Sequence, residues 1–201
     1  QAGVRLAGSE GEDRAAEIVS ERMTAMGLDN VAVHRFPIRA WRPGFSALQV
    51  FVNDAWQDVP SAPVAHSPAT RGRGVCGEAV QIEAFSELAS LSGKGPRIAV
   101  LWDGYGESLA DFRRLMDAGF DAFLLVDKRF HHSDVVAEGV PAQWIPVFTK
   151  PMVSLPQPHA FQLFGRGPVR CRLRVTGKTE PGLSSVVTGE IPGRGRGVIL
   201  M

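Results

Sequence analysis

The chain has 201 residues, 44% apolar and 21% charged, with a formal net charge of +1. That length is about one and a third domains at roughly 150 residues apiece. The composition excludes wholesale disorder, and the near-neutral balance excludes the broad basic surface of a non-specific nucleic-acid binder. No apolar run approaches the ~18 residues that a membrane-spanning helix needs. Two cysteines, Cys76 and Cys171, are too few for a disulfide scaffold or a four-cysteine zinc site. Spacing alone leaves open whether they pair. The chain opens on Gln1 with no basic-then-apolar leader pattern, so the compartment is not fixed. A secreted or cell-envelope placement is expected only where a signal peptide precedes Gln1.

Ser9 and Glu12 have the spacing of a capping box, and Ala15, Ile18, Val19, Met23 and Met26 recur behind them at helical spacing. Gly27 supplies a stop, so a helix is predicted over about 10–26. Val31–Phe36 reads as a strand ended by Pro37. From Phe45 to Glu83 the texture is β, with Leu48–Val52 and Val75–Ile82 as strands separated by prolines and the Arg71-Gly72-Arg73-Gly74 run.

The pattern then changes. Arg97–Trp102 is a nearly continuous apolar strand, Ser108–Ala118 is helical with Gly119 as its stop, and Phe120–Val126 is a second apolar strand. Strand, helix and strand with short links predict a βαβ unit with parallel strands. Ile145–Phe148 is read as a third short strand. In Val169–Thr176, Cys171, Leu173 and Val175 alternate with Arg170, Arg172 and Arg174, which predicts one buried face and one arginine ladder. Ser185–Ile191, a Pro192-Gly193 turn and the apolar Val198–Met201 follow. An apolar run at the very end reads as a strand that has been cut.

Four candidate chemistries follow from the residues. Asp103-Gly104-Tyr105-Gly106 lies between a strand and a helix, with Asp127 closing the next strand as a ribose-binding acid would. The third glycine position is Leu109, and Asp103 and Glu107 bring negative charge where a pyrophosphate would sit. A plain strand-to-helix turn is the favoured reading. His131, His132 and Asp134 cluster, but adjacent histidines in an extended segment point apart, and three or four convergent ligands are needed for zinc. His34, His66 and His159 are isolated. No Gly-x-Ser-x-Gly elbow is present, and neither cysteine has a catalytic signature. Arg170, Arg172 and Arg174 could serve an anionic partner, though a solvated, charge-protected face is the favoured reading.

The order of the pieces carries more than any one of them. Arg5-Leu6-Ala7-Gly8-Ser9-Glu10-Gly11-Glu12, its helix, Gly27-Leu28 and the strand Val31–Phe36 resemble the opening of the zinc-dependent aminopeptidase family. That family includes aminopeptidase Y-like and bacterial leucyl aminopeptidase-like enzymes, with glutamate carboxypeptidase as a relative. Gly93-Lys94 with Ile98–Leu101, Asp117-Ala118-Gly119-Phe120, Ala122–Val126 and Ile145-Pro146-Val147 resemble a protease-associated domain, which many of these peptidases carry as an insertion. Ser184–Gly193 is similar to the family's returning strand and turn, with Ser185 near the place of an expected Asn. Val198–Met201 resembles the strand that carries the family's His-x-Asp at its far end.

The resemblance implies an α/β fold in which a β-rich protease-associated domain with a βαβ unit is inserted in the N-terminal part of a zinc-exopeptidase domain. That part would be a helix with mainly antiparallel strands. The expected segments are 1–40, an insertion over 41–168 and returning strands over 169–201. Leu48–Val52 and Val75–Ile82 are expected in the insertion. Val31–Phe36, Val169–Thr176, Ser185–Ile191 and Val198–Met201 are expected to share a different sheet. The implied activity of a complete parent is hydrolysis of peptide bonds by a two-zinc activated water, with a carboxylate taking the proton. The chain is expected to be an N-terminal fragment that stops before the zinc ligands, so no catalytic, cofactor-binding or metal-binding residue maps onto 1–201. The expected partner is a peptide or protein substrate, without nucleic acid. The alternatives are a non-catalytic, receptor-like interaction module and a nucleotide-linked enzyme around Gly104 and Gly106.

Overall fold

The computed structural model describes residues 5–82, 85–89, 97–102, 104–127, 139–164, 167–191 and 193. The Gly93-Lys94 lead-in and the run Val198–Met201 lie outside the described residues. The fold is mixed α/β. Its contacts divide the chain into two compact units. One is Gln1–Arg42 with Thr179–Met201, and the other is Pro43–Lys178. Two long strands, β1 (Asp29–Val52) and β8 (Val169–Glu190), contribute residues to both.

In the first unit, helix α1 spans Glu10–Ala25. Ser9 Oγ accepts from the Glu12 amide at 3.3 Å. The reciprocal half of the capping box is shifted by one residue, because Glu12 Oε2 accepts from the Gly8 amide at 2.6 Å. Its other oxygen, Oε1, accepts from Ser184 Oγ at 2.6 Å. One carboxylate thus closes the helix start and ties it to β8. Glu10, Glu12 and Asp13 in the first turn and Arg22 in the last suit the helix dipole. Gly27, with φ of +81°, turns the chain out of the helix. The predicted apolar stripe is only half covered: Ala15, Ile18 and Met23 are partly buried, no α1 residue is fully buried, and Val19 and Met26 are 45% and 78% exposed.

Strand β1 does not stop at Pro37, as the sequence suggests, but runs on through Pro43. Its neighbours in the sheet are β2 (Ala55–Val59) and β8, and β2 reaches only Leu48–Val52. Among the described residues, one edge of β1 is therefore unpaired ahead of Leu48, and an edge strand is where proline is tolerated. Side-chain bonds from Asn30 to Glu190, His34 to Thr188 and Arg42 to Glu180 mark β1 and β8 as antiparallel here. The β1–β2 connection is Asn53-Asp54 with φ of 51° and 60°, the doubly positive geometry of a tight hairpin.

In the second unit the strand order is β2-β1-β8-β4-β5-β6-β7-β3. Here β3 is Ala62–Pro63, β4 Val75–Ile82, β5 Arg97–Leu101, β6 Ala122–Asp127 and β7 Met152–Pro156. Strands β4 to β7 are parallel, while β8 on β4 and β3 on β7 are antiparallel. The predicted βαβ unit is β5, helix α2 (Leu109–Asp117) and β6. Ser108 caps α2, and Phe112, Leu115 and Met116 are its buried face.

Strict alternation along β5 sends Ile98 and Val100 into one core with Leu124, Leu173 and Phe164 of helix α3 (Gln157–Phe164). Ala99 and Leu101 enter a second core on the opposite face, with Phe112, Leu115 and Phe123. Each fully buried side chain of this kind contributes about 1.5–3 kcal/mol.

Three expectations are corrected. Val31–Phe36 and Leu48–Val52, expected in different sheets, are parts of the one strand β1. Ile145–Phe148 is not a strand. Ala142–Val147 forms a 3₁₀ turn, held by Trp144 N to Pro141 O at 2.8 Å and Phe148 N to Ile145 O at 3.1 Å. Pro146 has no N–H to give a ladder. The strand beside β6 is instead β7, buried at every residue. Val169–Thr176 was expected away from Val75–Ile82, yet Val169–Leu173 pairs with Val75–Ala79. Alternation fixes which face of a strand is buried, not which strand it joins.

Candidate functional site

Among the described residues, the second unit carries a concave surface with chemistry in it. Helix α2 covers one face of the sheet over β5 and β6, the short turn Phe85–Ala89 packs beside it on β4, and the exposed arginines of β8 lie further along that face. Residues directly opposite one another on paired strands share a face. Cys76 on β4 stands opposite Arg172 on β8, and Gln49 on β1 stands opposite Asp58 on β2. Together with Arg174 and Arg73 they line a groove of about 1100 Å³.

The arginines are held by rings rather than by acids. The Arg172 guanidinium lies 4.4 Å from the centre of the Trp56 ring, and Arg174 lies 5.6 Å from Phe45. Stacking on a ring face orients a guanidinium while leaving its N–H edge free. Among the described residues no carboxylate pairs with Arg73, Arg172 or Arg174. The acid of the groove, Asp58, accepts from Gln49 Nε2 at 2.9 Å.

Arg73 sits in the turn that closes with Gly74 N donating to Arg71 O at 2.9 Å. Gly74 has φ of +89°, and a Cβ there would collide with the Leu173 carbonyl and come within 2.6 Å of Arg174 Cγ. Only glycine fits the backbone this close to the Arg174 stem.

Cys171 points to the other face. It stands opposite Gly77 and is buried, and both cysteines are free thiols. Burial pushes the Cys171 thiol up to about 12, and the neighbouring Cys76 adds to the shift.

The other sequence candidates are not brought together. Gly104 and Gly106 have φ of +82° and +100°, as a strand-to-helix turn requires. Tyr105 between them donates to the Gly139 carbonyl at 2.9 Å and packs its ring on Phe112 and Trp144. Asp103, His131, His132 and Asp134 lie outside the described residues. His34 bonds Thr188 at 2.9 Å in the first unit, and His159 is on α3 in the second. Sequence reasoning picked out the arginine ladder but missed its aromatic caps. Arg73 was visible only as part of a loop run.

No protein-family model and no curated protein matches the chain. Solved structures do. A peptidase M28 precursor from Shewanella amazonensis SB2B matches 92% of this chain and 46% of its own, with 16% identity and a TM-score of 0.68. A zinc aminopeptidase from Bacillus subtilis matches 97% of this chain and 45% of its own, with 19% identity and a TM-score of 0.62. An aminopeptidase from Aneurinibacillus sp. strain AM-1 matches 97% and 46%, with 16% identity and a TM-score of 0.59. The chain shares its fold with these peptidases. It spans about half of their length.

The Bacillus neighbour is a zinc enzyme by name. Among the described residues no three His, Cys, Asp or Glu side chains converge. Those residues do not fit a zinc ion.

Proposed function

We propose that this chain is the N-terminal, substrate-facing portion of a zinc-dependent exopeptidase of the aminopeptidase type. In this reading the second unit, Pro43–Lys178, corresponds to the protease-associated domain expected over 41–168 and inserted in the catalytic domain, and the zinc ligands lie outside 1–201. The observation that carries the reading is the fold match over 92–97% of this chain with peptidases about twice its length. The interrupted order supports it too, since the two flanking segments form one unit around a contiguous second one. The role assigned to the insertion is to position or restrict peptide substrate, as rigidly held loops beside a site commonly do.

The test is hydrolysis of aminoacyl-nitroanilides by the longer protein that this reading implies, with and without a chelator. Chelator-sensitive release of nitroaniline is the expected result. A second reading, a receptor-like interaction module without catalysis, is favoured by the arginines of the groove, which have no carboxylate partner among the described residues. A longer protein that is inert with zinc supplied, yet retains a peptide ligand, would support that second reading and overturn the first.

A further inference from the structure

We propose that the groove over β4, β8, β1 and β2 binds an extended acidic peptide segment, with carboxylates on alternate residues taken by Arg172 and Arg174. The proposal does not depend on hydrolysis, because the groove lies within the second unit and binding is read without turnover.

Three observations carry it. The first is the set of cations. Arg73, Arg172 and Arg174 line one groove, and none has a carboxylate partner among the described residues. An arginine fork takes a carboxylate through two parallel hydrogen bonds, and such charge-assisted bonds are about twice as strong as neutral ones. Stacking on Trp56 and Phe45 has already fixed the two guanidiniums, so less side-chain freedom is lost on binding.

The second is spacing. Arg172 and Arg174 are alternate residues of one strand, so their stems are about 6.5–7 Å apart at the rise of an extended chain. Carboxylates at alternate positions of an extended peptide have the same repeat. The preferred sequence is therefore acidic-x-acidic rather than a block of acids.

The third is what else lines the groove. Phe45, Val59 and Pro60 give it an apolar wall, and Asp58 puts one carboxylate on the same surface. A phosphodiester chain, charged at every unit and without apolar side chains, meets repulsion at Asp58. A peptide offers backbone N–H groups there and apolar side chains between its acids.

The experiment is fluorescence anisotropy of a labelled peptide with alternating Glu, titrated with the 201-residue chain. A second readout is the rate at which N-ethylmaleimide alkylates Cys76. That thiol lines the groove, whereas Cys171 is buried. The alternating peptide is expected to bind and to slow alkylation of Cys76. It should bind more tightly than a peptide with the same acids in one block, and added salt should weaken it.

Arg172→Gln with Arg174→Gln should weaken binding by about tenfold or more, given two lost charge-assisted pairs. Arg172→Lys with Arg174→Lys keeps the charge but loses the fork, and should fall between. Arg113→Gln, an exposed arginine on α2, should change nothing. Equal binding of a Gln-for-Glu peptide would overturn the proposal. So would an equal loss with Arg113→Gln, tighter binding of single-stranded DNA of matched charge, or unchanged Cys76 alkylation at saturating peptide.

Discussion

At Glu12 one carboxylate oxygen accepts from the Gly8 amide and the other from the Ser184 hydroxyl. The side chain therefore acts on both the helix start and the strand that returns 172 residues later. Glu12→Ala leaves a helix-start amide and a hydroxyl without their acceptor, and is expected to destabilise the chain by about 1–3 kcal/mol. A urea-denaturation cycle with Ser184→Ala checks it: the two changes should be non-additive, since they remove one shared bond.

Gly74 makes a sharper case. Any side chain there meets the Leu173 carbonyl at a positive φ, so Gly74→Ala should cost more than about 1 kcal/mol in the same measurement. Cys171 gives a pH dependence. Its thiol is raised from 9.0 to about 12 by burial and then by Cys76. The unfolded thiol loses its proton first as pH rises. The stability linked to Cys171 is thus intact below about pH 9 and lost progressively as pH approaches 12. Urea midpoints measured across that window should fall, and Cys171→Ala should remove that part of the fall.

At the scale of elements, local patterns were legible where one signal sufficed. The capping residues and Gly27 marked α1, and the two apolar runs around Ser108–Ala118 marked β5, α2 and β6. The elements that were misread need information from further away. Met152–Pro156 lies between prolines and was passed over, although all five residues are buried in a parallel strand. Ile145-Pro146-Val147 has the composition of a strand but no donor at its centre.

Helix α3 was missed because only Ala160 and Phe164 are buried in it, too few for a helical period to register. It is fastened by a relay in which Trp102 Nε1 donates to Gln81 Oε1 at 2.8 Å and Gln81 Nε2 to the Phe164 carbonyl at 2.6 Å. Phe164→Ala is expected to cost about 3–5 kcal/mol through the cavity it opens. Amide exchange should then speed up in α3 more than in α2.

For the candidate site the sequence showed the arginine alternation but not its setting. Phe45 and Trp56 are more than 110 residues from Arg172 and Arg174 in the chain. They reach them only because β1 lies beside β8 and β2 follows on the far side of β1 in the sheet.

At the scale of the molecule, the chain is an interrupted unit around a contiguous one, with a fold shared with peptidases about twice as long. Under the reading proposed above, the chain would handle substrate and the metal chemistry would belong to residues outside 1–201. The most direct test of that division is hydrolysis of aminoacyl-nitroanilides by the purified 201-residue chain, measured across a zinc titration. No release of nitroaniline above the rate with zinc alone is expected. Hydrolysis that rises in proportion to the chain and saturates with zinc would contradict it.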